Sequence, residues 1–211
     1  MVTPLVFTRA GLMEYSEALS MQRSIHSEVA QGVRPNTMIL LEHPSVYTAG
    51  KRTTAIEKPT DGTPVIDVDR GGKITWHGPG QLVGYPIVQL AKPSELVGFV
   101  REIETGLIKV CAEFGINTQR IEGRSGVWVR DERGDRKLAA IGIRVAQKVS
   151  MHGFALNVNP ELAAFNRIIP CGIDDAAVTS LAQELSRDIT VDEVIPVVEK
   201  FLLESLKKVS A

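Results

Sequence analysis

Two side chains of this 211-residue chain could carry out covalent chemistry: the thiol of Cys171 and the amine of Lys137. Cys171 stands between Pro170 and Gly172, residue types that favour a turn, where a sulfur is presented to a ligand rather than buried in a core. Lys137 precedes the apolar, small-residue segment 138–142 (LAAIG), so we expect its side chain to be partly desolvated. Desolvation disfavours the charged form of an amine, which can then accept a proton. We therefore predict a thiolate nucleophile with a basic partner.

The thiol of Cys171 needs such a partner because an ordinary cysteine is only a few per cent thiolate at neutral pH. Lys137 could remove the proton as a neutral amine, or stabilise the thiolate as an ammonium ion. His77 and His152, each followed by glycine, could instead form a Cys–His pair with Cys171. For Cys111, which falls on the apolar stripe of a predicted helix, we expect a buried core position.

The composition excludes several classes of function. The chain is 44% hydrophobic and 23% charged, and its formal net charge of −1 provides no basic field for nucleic acid. Its first residues do not join a basic region to a long apolar run, so we expect neither a signal peptide nor a membrane span. With only two cysteines no disulfide framework is expected, and a reducing cytoplasm is the predicted location. Four histidines without metal-binding spacing predict no metal site.

Hydrophobic periodicity predicts an α+β fold, with helices flanking a mixed sheet, in one domain over residues 1–211. The expected helices are 14–30, 94–114, 178–185 and one from a capping box at Thr190 to about 207, which Pro196 should kink or delay. The expected strands are 38–41, 65–68, 82–90, 127–129, 138–145 and 151–158, with a hairpin turn at 131–135. Residues 42–63 are predicted to form a long polar loop.

The segment 70–81 (RGGKITWHGPGQ) is the strongest candidate for a binding loop. Its four glycines and one proline predict a backbone that approaches a ligand closely. The segment does not match the phosphate-binding loop pattern, so an uncharged chain or a carbonyl group is the expected ligand. Together with Gly142 and Gly153, its small residues would leave a narrow apolar slot.

These segments, in this order, resemble the lipoyl(octanoyl) transferases. The segments that carry the resemblance are 41–44 (LEHP), 70–81, 137–142 (KLAAIG), 152–157 (HGFALN) and 170–172 (PCG). The resemblance implies the fold of the biotin and lipoate protein ligases. It also implies transfer of octanoyl from octanoyl-acyl carrier protein to a lysine of a lipoyl domain, in a 2-oxoacid dehydrogenase E2 subunit or the glycine cleavage H protein. A monomer that requires no cofactor is expected.

The resemblance also assigns roles to residues. Cys171 would form the acyl-thioester intermediate, and Lys137 would tune or deprotonate it. The residues expected to line the acyl site are Arg70, Gly71, Gly72, Lys73, Ile74, Thr75, Trp76, His77, Ala140, Ile141, Gly142, Gly153, Phe154 and Ala155.

Three other functions are compatible with parts of this pattern. An ATP-dependent lipoate or biotin ligase would activate a free acid as an adenylate and would not need Cys171. A lipoyl amidotransferase would move the acyl group between lipoyl domains through a cysteine. A catalytically silent module would bind an acyl group or a carrier protein without using Cys171. Transfer from one thioester to another is nearly isoenergetic and transfer to an amide is downhill, so an octanoyltransferase needs no ATP and should follow a two-step, ping-pong mechanism.

Overall fold

The computed structural model describes residues 4–60, 62–92, 94–168 and 176–211. Within these ranges the strands are β1 (Leu5–Leu12), β2 (Asn36–Glu42), β3 (Val46–Ala49), β4 (Val65–Asp67), β5 (Thr75–His77), β6 (Gln81–Ile87), β7 (Gln119–Ile121), β8 (Arg124–Asp131), β9 (Gly134–Ala146), β10 (Val149–Asn157) and β11 (Ala177–Val178). The α-helices are α1 (Tyr15–Ala30), α2 (Leu96–Glu113), α3 (Leu181–Leu185) and α4 (Val191–Leu206). Short 3₁₀ helices span Ala55–Glu57 and Leu162–Arg167.

The strands form a large mixed sheet and a small one. The large sheet has the order β1-β2-β6-β10-β9-β8-β7, and β11 pairs with β9. Its β1–β2 and β9–β11 pairs are parallel, and its other pairs are antiparallel. The small sheet has the order β4-β3-β5. The predicted fold class, helices flanking a mixed sheet, is confirmed.

Helices cover both faces of the large sheet because each carries an apolar stripe at helical spacing. On one face, α2 and α4 bury residues such as Phe99, Leu107 and Leu202 against β6, β8 and β9. On the other face, α1 buries Ile25 and Val29 against β2, β6 and β10. Cys111 lies in the α2 core with no exposed surface, as predicted. No helix in the described ranges combines the length and apolar character that crossing a membrane requires.

The hairpin of β9 and β10 forms the centre of the large sheet. Its turn consists of Gln147 and Lys148, whose φ angles of 50° and 66° are typical of a two-residue turn that follows the twist of the strands. The register pairs Ala140 with Ala155, Gly142 with Gly153, and Ile143 with His152. Small residues therefore oppose small residues in alternate pairs along the middle of this hairpin, and the larger pair of Ile141 and Phe154 lies between them.

The structure corrects three predictions of secondary structure. Residues 42–63 are not one loop, because Val46–Ala49 pairs with both β4 and β5 as the central strand of the small sheet. Residues 178–185 are not one helix: Ala177–Val178 is a strand, and α3 begins only after Ser180, whose side chain accepts a hydrogen bond from the Gln183 N–H. Pro196 does not delay α4, which begins at Val191 behind the predicted capping box.

Candidate active site

A cavity of about 220 Å³ lies where the α1 face of the large sheet meets the small sheet and the glycine-rich segment. The predicted site residues that line it are Arg70, Gly72, Lys73, Thr75, His77, Lys137, Ala140, Ile141, Gly142, Gly153, Phe154 and Ala155. The lining residues that were not among those predicted to line the acyl site are Tyr15, Arg52, Val83, Tyr85, Gly123, Arg124, Ser125 and His152, of which His152 was a candidate partner of Cys171. Segments that are far apart in sequence therefore meet around one cavity.

Three other predicted site residues are described but do not line this cavity. The Gly71 N–H donates a hydrogen bond to the Ile143 carbonyl oxygen at 3.1 Å, which fixes the segment to β9. Ile74 and Trp76 are buried in the core of the small sheet, where the Trp76 ring meets Phe165 edge to face at 5.4 Å. Cys171, with Pro170 and Gly172, lies outside the described residues.

Lys137 is buried at one end of the cavity, with only 7% of its surface exposed. A bulge places it there: Val127 pairs with Ala139 whereas Trp128 pairs with Lys137, so β9 has one extra residue, Leu138, at this point. Bulges of this kind re-aim a side chain. The Lys137 Nζ lies 4.7 Å from the centroid of the Trp128 ring, a cation–π distance. The side chain of Lys137 is therefore buried, as the apolar segment that follows it led us to expect.

The chain that follows the Cys171 segment runs directly beside Lys137. In β11, Val178 pairs with Lys137, and the Thr179 N–H donates a hydrogen bond to the Lys137 carbonyl oxygen at 3.0 Å. A second, much smaller space of about 10 Å³ lies on this side of Lys137. Phe165 and Val178 are among the residues that line it.

The guanidinium of Arg70 holds the glycine-rich segment in place. Its Nη2 donates to the carbonyl oxygen of Thr48 at 2.8 Å, and its Nη1 donates to the Lys73 carbonyl oxygen at 2.7 Å. A Cβ atom at Gly142 would lie 3.1 Å from the Gly71 oxygen, so the glycine allows the segment and β9 to approach closely. Arg70 therefore shapes the cavity wall by tying the segment to β3.

His77 lies in a chain of buried hydrogen bonds that leads to the strand of Lys137. Its Nδ1 is 2.7 Å from Gln81 Oε1, Gln81 Nε2 donates to Asn157 Oδ1 at 2.9 Å, and Asn157 Nδ2 donates to the Thr179 carbonyl oxygen at 2.9 Å. Burial, reinforced by the charge of His43, lowers the pKa of His77 to about 3. His77 is thus neutral near pH 7, and its Nδ1–H is the donor to Gln81.

The pKa of His77 makes the stability of the protein dependent on pH. A histidine whose pKa is lower in the folded state stabilises the fold fully above its unfolded pKa of about 6.5, and this stabilisation is lost as the pH falls towards the folded pKa of about 3. We expect His77→Gln to reduce the slope of unfolding free energy against pH by about 1.4 kcal/mol per unit between pH 6 and 4. Urea titrations of both proteins at several pH values measure this slope. Identical slopes would show that His77 is protonated in the folded state.

A layer of aromatic rings and imidazoles closes the cavity on the α1 side. His43 Nδ1 donates to the Met13 carbonyl oxygen, and the Tyr85 hydroxyl donates to His43 Nε2, both at 2.7 Å. The ring of Tyr15 stacks on His77 with an interplanar angle of 13°. Burial lowers the pKa of His43 and raises that of Tyr15 to about 12, so both groups are uncharged near neutral pH. This wall can therefore contact an apolar chain without exposing a charge to it.

His152 has an unusual backbone and an unusual set of partners. Its φ of 58° lies in the left-handed region, which is uncommon for a residue other than glycine. Its backbone N–H donates to Gln22 Oε1 at 3.0 Å, and its Nε2 donates to Asp69 Oδ1 at 2.7 Å. Asp69 also forms an ion pair with Arg144. Burial lowers the pKa of His152, although Asp69 opposes this effect.

The lining residues that were not predicted come mainly from elements whose side chains appear, in the sequence, to belong to the core. Tyr15 begins the apolar stripe of α1, and Val83 and Tyr85 belong to a continuous apolar strand. The histidine of the LEHP segment was a possible signal, since His43 supports Tyr85. In the described part of the chain, His, Cys, Asp and Glu side chains form no group of three that could hold a metal ion.

Comparison with known proteins identifies the family. Residues 14–203 match the model of the lipoyl protein ligase A/B catalytic domain. An octanoyltransferase of Salinispora tropica is 60% identical over 200 residues, which cover 94% of each chain.

Solved structures show the same fold at low sequence identity. The chain resembles a bi-partite lipoate protein ligase of Thermoplasma acidophilum with a TM-score of 0.71 and 14% identity, covering 98% of this chain and 84% of that one. It resembles biotin protein ligase of Aquifex aeolicus with a TM-score of 0.57 and 18% identity, covering 97% and 71%. The predicted relation to lipoate and biotin ligases is confirmed at the level of the fold. The chain belongs to the octanoyltransferases of the lipoyl protein ligase A/B catalytic domain family and is an acyltransferase.

Proposed function

We propose that this acyltransferase moves an octanoyl group from octanoyl-acyl carrier protein to Cys171, and then from Cys171 to a lysine of a lipoyl domain. The acceptor domains belong to 2-oxoacid dehydrogenase E2 subunits and to the glycine cleavage H protein, and the reaction is the first step of lipoate synthesis on these proteins. One observation carries the proposal: the amine of Lys137 is buried at the end of a narrow cavity and lies beside the chain that follows Cys171.

Residues on both sides of Cys171 support its assignment to this cavity. Ile168, three residues before it, belongs to the same apolar cluster as Phe165, which lines the small space beside Lys137. Val178, seven residues after it, pairs with Lys137 itself. The thiol lies between these two residues in the sequence, and we therefore propose that it acts beside Lys137.

The reaction consists of two acyl transfers that use the same sulfur. In the first, Lys137 accepts the Cys171 proton or stabilises the thiolate, Sγ forms a bond to the thioester carbonyl carbon, and the bond to the donor sulfur breaks. The donor thiolate leaves with the proton released by Cys171. In the second transfer, the amine of the acceptor lysine bonds to the same carbon, the bond to Cys171 Sγ breaks, and the proton lost by the amine returns to the Cys171–Lys137 pair. The product is an amide, and ATP takes no part.

Two positively charged side chains near the cavity support a donor whose carrier protein is negatively charged. Arg52 lines the cavity and is exposed, and its neighbour in the sequence, Lys51, is exposed as well. Their backbone N–H groups donate to the carbonyl oxygens of Arg70 and Gly72 at 3.2 and 3.1 Å, so the loop that carries them is fixed in place. An acyl carrier protein presents its acyl group on an arm that contains a phosphate, and two cations at the entrance would attract that phosphate.

The proposal predicts that the chain acylates a purified lipoyl domain from octanoyl-acyl carrier protein without ATP. The expected product is one octanoyl group on the acceptor lysine, detected by intact-mass spectrometry, in equal amounts with and without ATP. A lipoyl domain whose acceptor lysine is replaced by arginine is the matched control and should remain unmodified. Modification only from free octanoate with ATP would contradict the proposal in favour of a ligase. Modification only from an octanoylated lipoyl domain would contradict it in favour of an amidotransferase.

A further inference from the structure

The small space beside Lys137, with a volume of about 10 Å³, can hold one oxygen atom but not an acyl chain. The polar residues that line it are Thr75, Gln81, Lys137 and Asn157, and the apolar ones are Ala140, Ala155, Phe165 and Val178. Because these residues surround so small a volume, an oxygen atom placed in it would lie close to polar side chains as well as apolar ones. The space therefore has the size and the polarity of a site for a single oxygen.

The small space and the larger cavity adjoin each other. Thr75, Lys137, Ala140 and Ala155 line both of them. Ala140 and Ala155 are paired across the β9–β10 hairpin, and side chains of one methyl group leave room for a flat group at this boundary. A thioester whose carbonyl carbon lies there would place its oxygen in the small space and its acyl chain in the larger cavity.

Thr75 offers a hydroxyl group at this boundary. Side chains alternate along β5, and Trp76 packs into the core of the small sheet, so Thr75 and His77 lie on the cavity side. Only 7% of the surface of Thr75 is exposed, and no residue in the described ranges forms a hydrogen bond with its hydroxyl. Buried polar groups are normally hydrogen-bonded, so a hydroxyl without a protein partner in a cavity wall indicates a ligand.

The amides that line the small space are fixed before a ligand arrives. His77 is neutral near pH 7 because burial lowers its pKa to about 3, and its Nδ1–H donates to Gln81. Gln81 in turn donates to Asn157, which donates to the carbonyl oxygen of Thr179. Among the described residues no Asp or Glu lines the small space. A negatively charged oxygen would therefore meet oriented dipoles and no opposing carboxylate.

We infer that the small space is the site of the thioester carbonyl oxygen, and that the Thr75 hydroxyl donates a hydrogen bond to this oxygen during acyl transfer. This assignment rests on the proposed function, because it takes the reacting carbonyl to lie beside Lys137. When Cys171 Sγ bonds to the carbonyl carbon, the oxygen takes the electron pair of the double bond and becomes negatively charged. When the bond to the donor sulfur breaks, the pair returns to the double bond, and Thr75 keeps its proton throughout. A fixed donor binds the charged oxygen more strongly than the neutral one and so lowers the barrier.

The first test measures the rate of adduct formation from octanoyl-acyl carrier protein in a single turnover. Thr75→Val removes the hydroxyl and keeps a β-branched side chain of similar size on the strand, so the variant should fold. We expect the rate at saturation to fall by ~10²–10³, the usual effect of losing one such donor, with little change in the half-saturating concentration of the donor. Thr75→Ser keeps the hydroxyl and should recover most of the rate.

Thr8→Val is the matched control for this measurement. Thr8 also lies on a strand, but β2, β6 and β10 separate its strand, β1, from β9. The same substitution there removes a hydroxyl far from Lys137 in the sheet. Its rate should equal that of the unaltered chain.

A second test observes the carbonyl group itself. Octanoyl adducts with an isotope-labelled carbonyl are prepared on the unaltered chain, on Thr75→Val and on Thr75→Ser, with enough time for the slower variant to react, and their infrared spectra are compared. A hydrogen bond to the oxygen weakens the C=O bond, so the carbonyl should absorb at a higher frequency in Thr75→Val and return to the lower frequency in Thr75→Ser. A normal rate for Thr75→Val, or a slow rate with an unmoved frequency, would overturn the assignment of Thr75. An unaltered chain that forms no adduct would instead overturn the proposed function.

Discussion

Replacing Cys171 with alanine is expected to abolish the octanoyl adduct that forms when this protein is mixed with octanoyl-acyl carrier protein. The sulfur is the atom that receives the acyl group in the proposed first transfer, and losing a covalent nucleophile costs on the order of 10⁶ in rate in a well-studied protease. Intact-mass spectrometry without a lipoyl domain detects the adduct directly, because the second transfer then has no acceptor.

Cys111 provides the matched control for this experiment. It is the other cysteine of the chain, it has no exposed surface, and burial raises its pKa to about 12, so its thiol stays protonated. The Cys111→Ala protein should therefore form the adduct at the rate of the unaltered chain. An adduct in the Cys171→Ala protein, or one located on Cys111, would show that the nucleophile has been assigned wrongly.

Replacing Lys137 with alanine is expected to slow adduct formation by ~10²–10⁴ at neutral pH, the usual contribution of a positioned proton-transfer group. The effect should be large because the amine is buried beside the chain that follows Cys171, where bulk water cannot easily take its role. Rapid mixing with octanoyl-acyl carrier protein, followed by acid quenching and mass measurement, gives the rate of the first transfer alone.

Two further variants distinguish whether Lys137 acts as a base or through its charge, and provide a control. Lys137→Arg keeps a positive charge but cannot accept a proton, so a rate near that of the unaltered chain would assign the lysine an electrostatic role, and a slow rate would assign it the role of base. Lys109→Ala is the control, since Lys109 lies half-exposed on α2 and pairs with Glu204, and its rate should not change. A normal rate for Lys137→Ala would remove Lys137 from the mechanism and direct attention to His77 or His152.

Elements with a strong periodic pattern could be predicted from the sequence, whereas elements that depend on distant partners could not. The stripes of α1 and α2, the apolar residues of β2 and β6 and the alternating pattern of β10 indicated their elements directly. The four residues of β3 lie in a polar stretch, and only pairing with β4 and β5 makes them a strand. Likewise, β11 has just two residues and exists because β9 offers it an edge beside Lys137.

The candidate site, too, could be predicted from the sequence in some respects and not in others. The segments that resemble those of the family predicted which parts of the chain would meet, and residues of three of them, 70–81, 137–142 and 152–157, line one cavity. The sequence could not show which side chains of residues 70–77 face that cavity. Ile74 and Trp76 turn into the core of the small sheet, and the Arg70 guanidinium binds the carbonyl oxygens of Thr48 and Lys73, because tertiary contacts set these directions. The prediction for Cys171 stays open, since that residue lies outside the described ranges.

The two-residue turn between β9 and β10 has a consequence for how the protein folds. Nearly the whole floor of the slot, from Ala140 to Gly142 and from Gly153 to Ala155, belongs to this one hairpin. Closing so short a loop costs little chain entropy, and contacts between residues close in sequence form early. This hairpin can therefore form as a local unit. The segment 70–77, which is distant from it in the sequence, then packs on the hairpin and encloses the cavity.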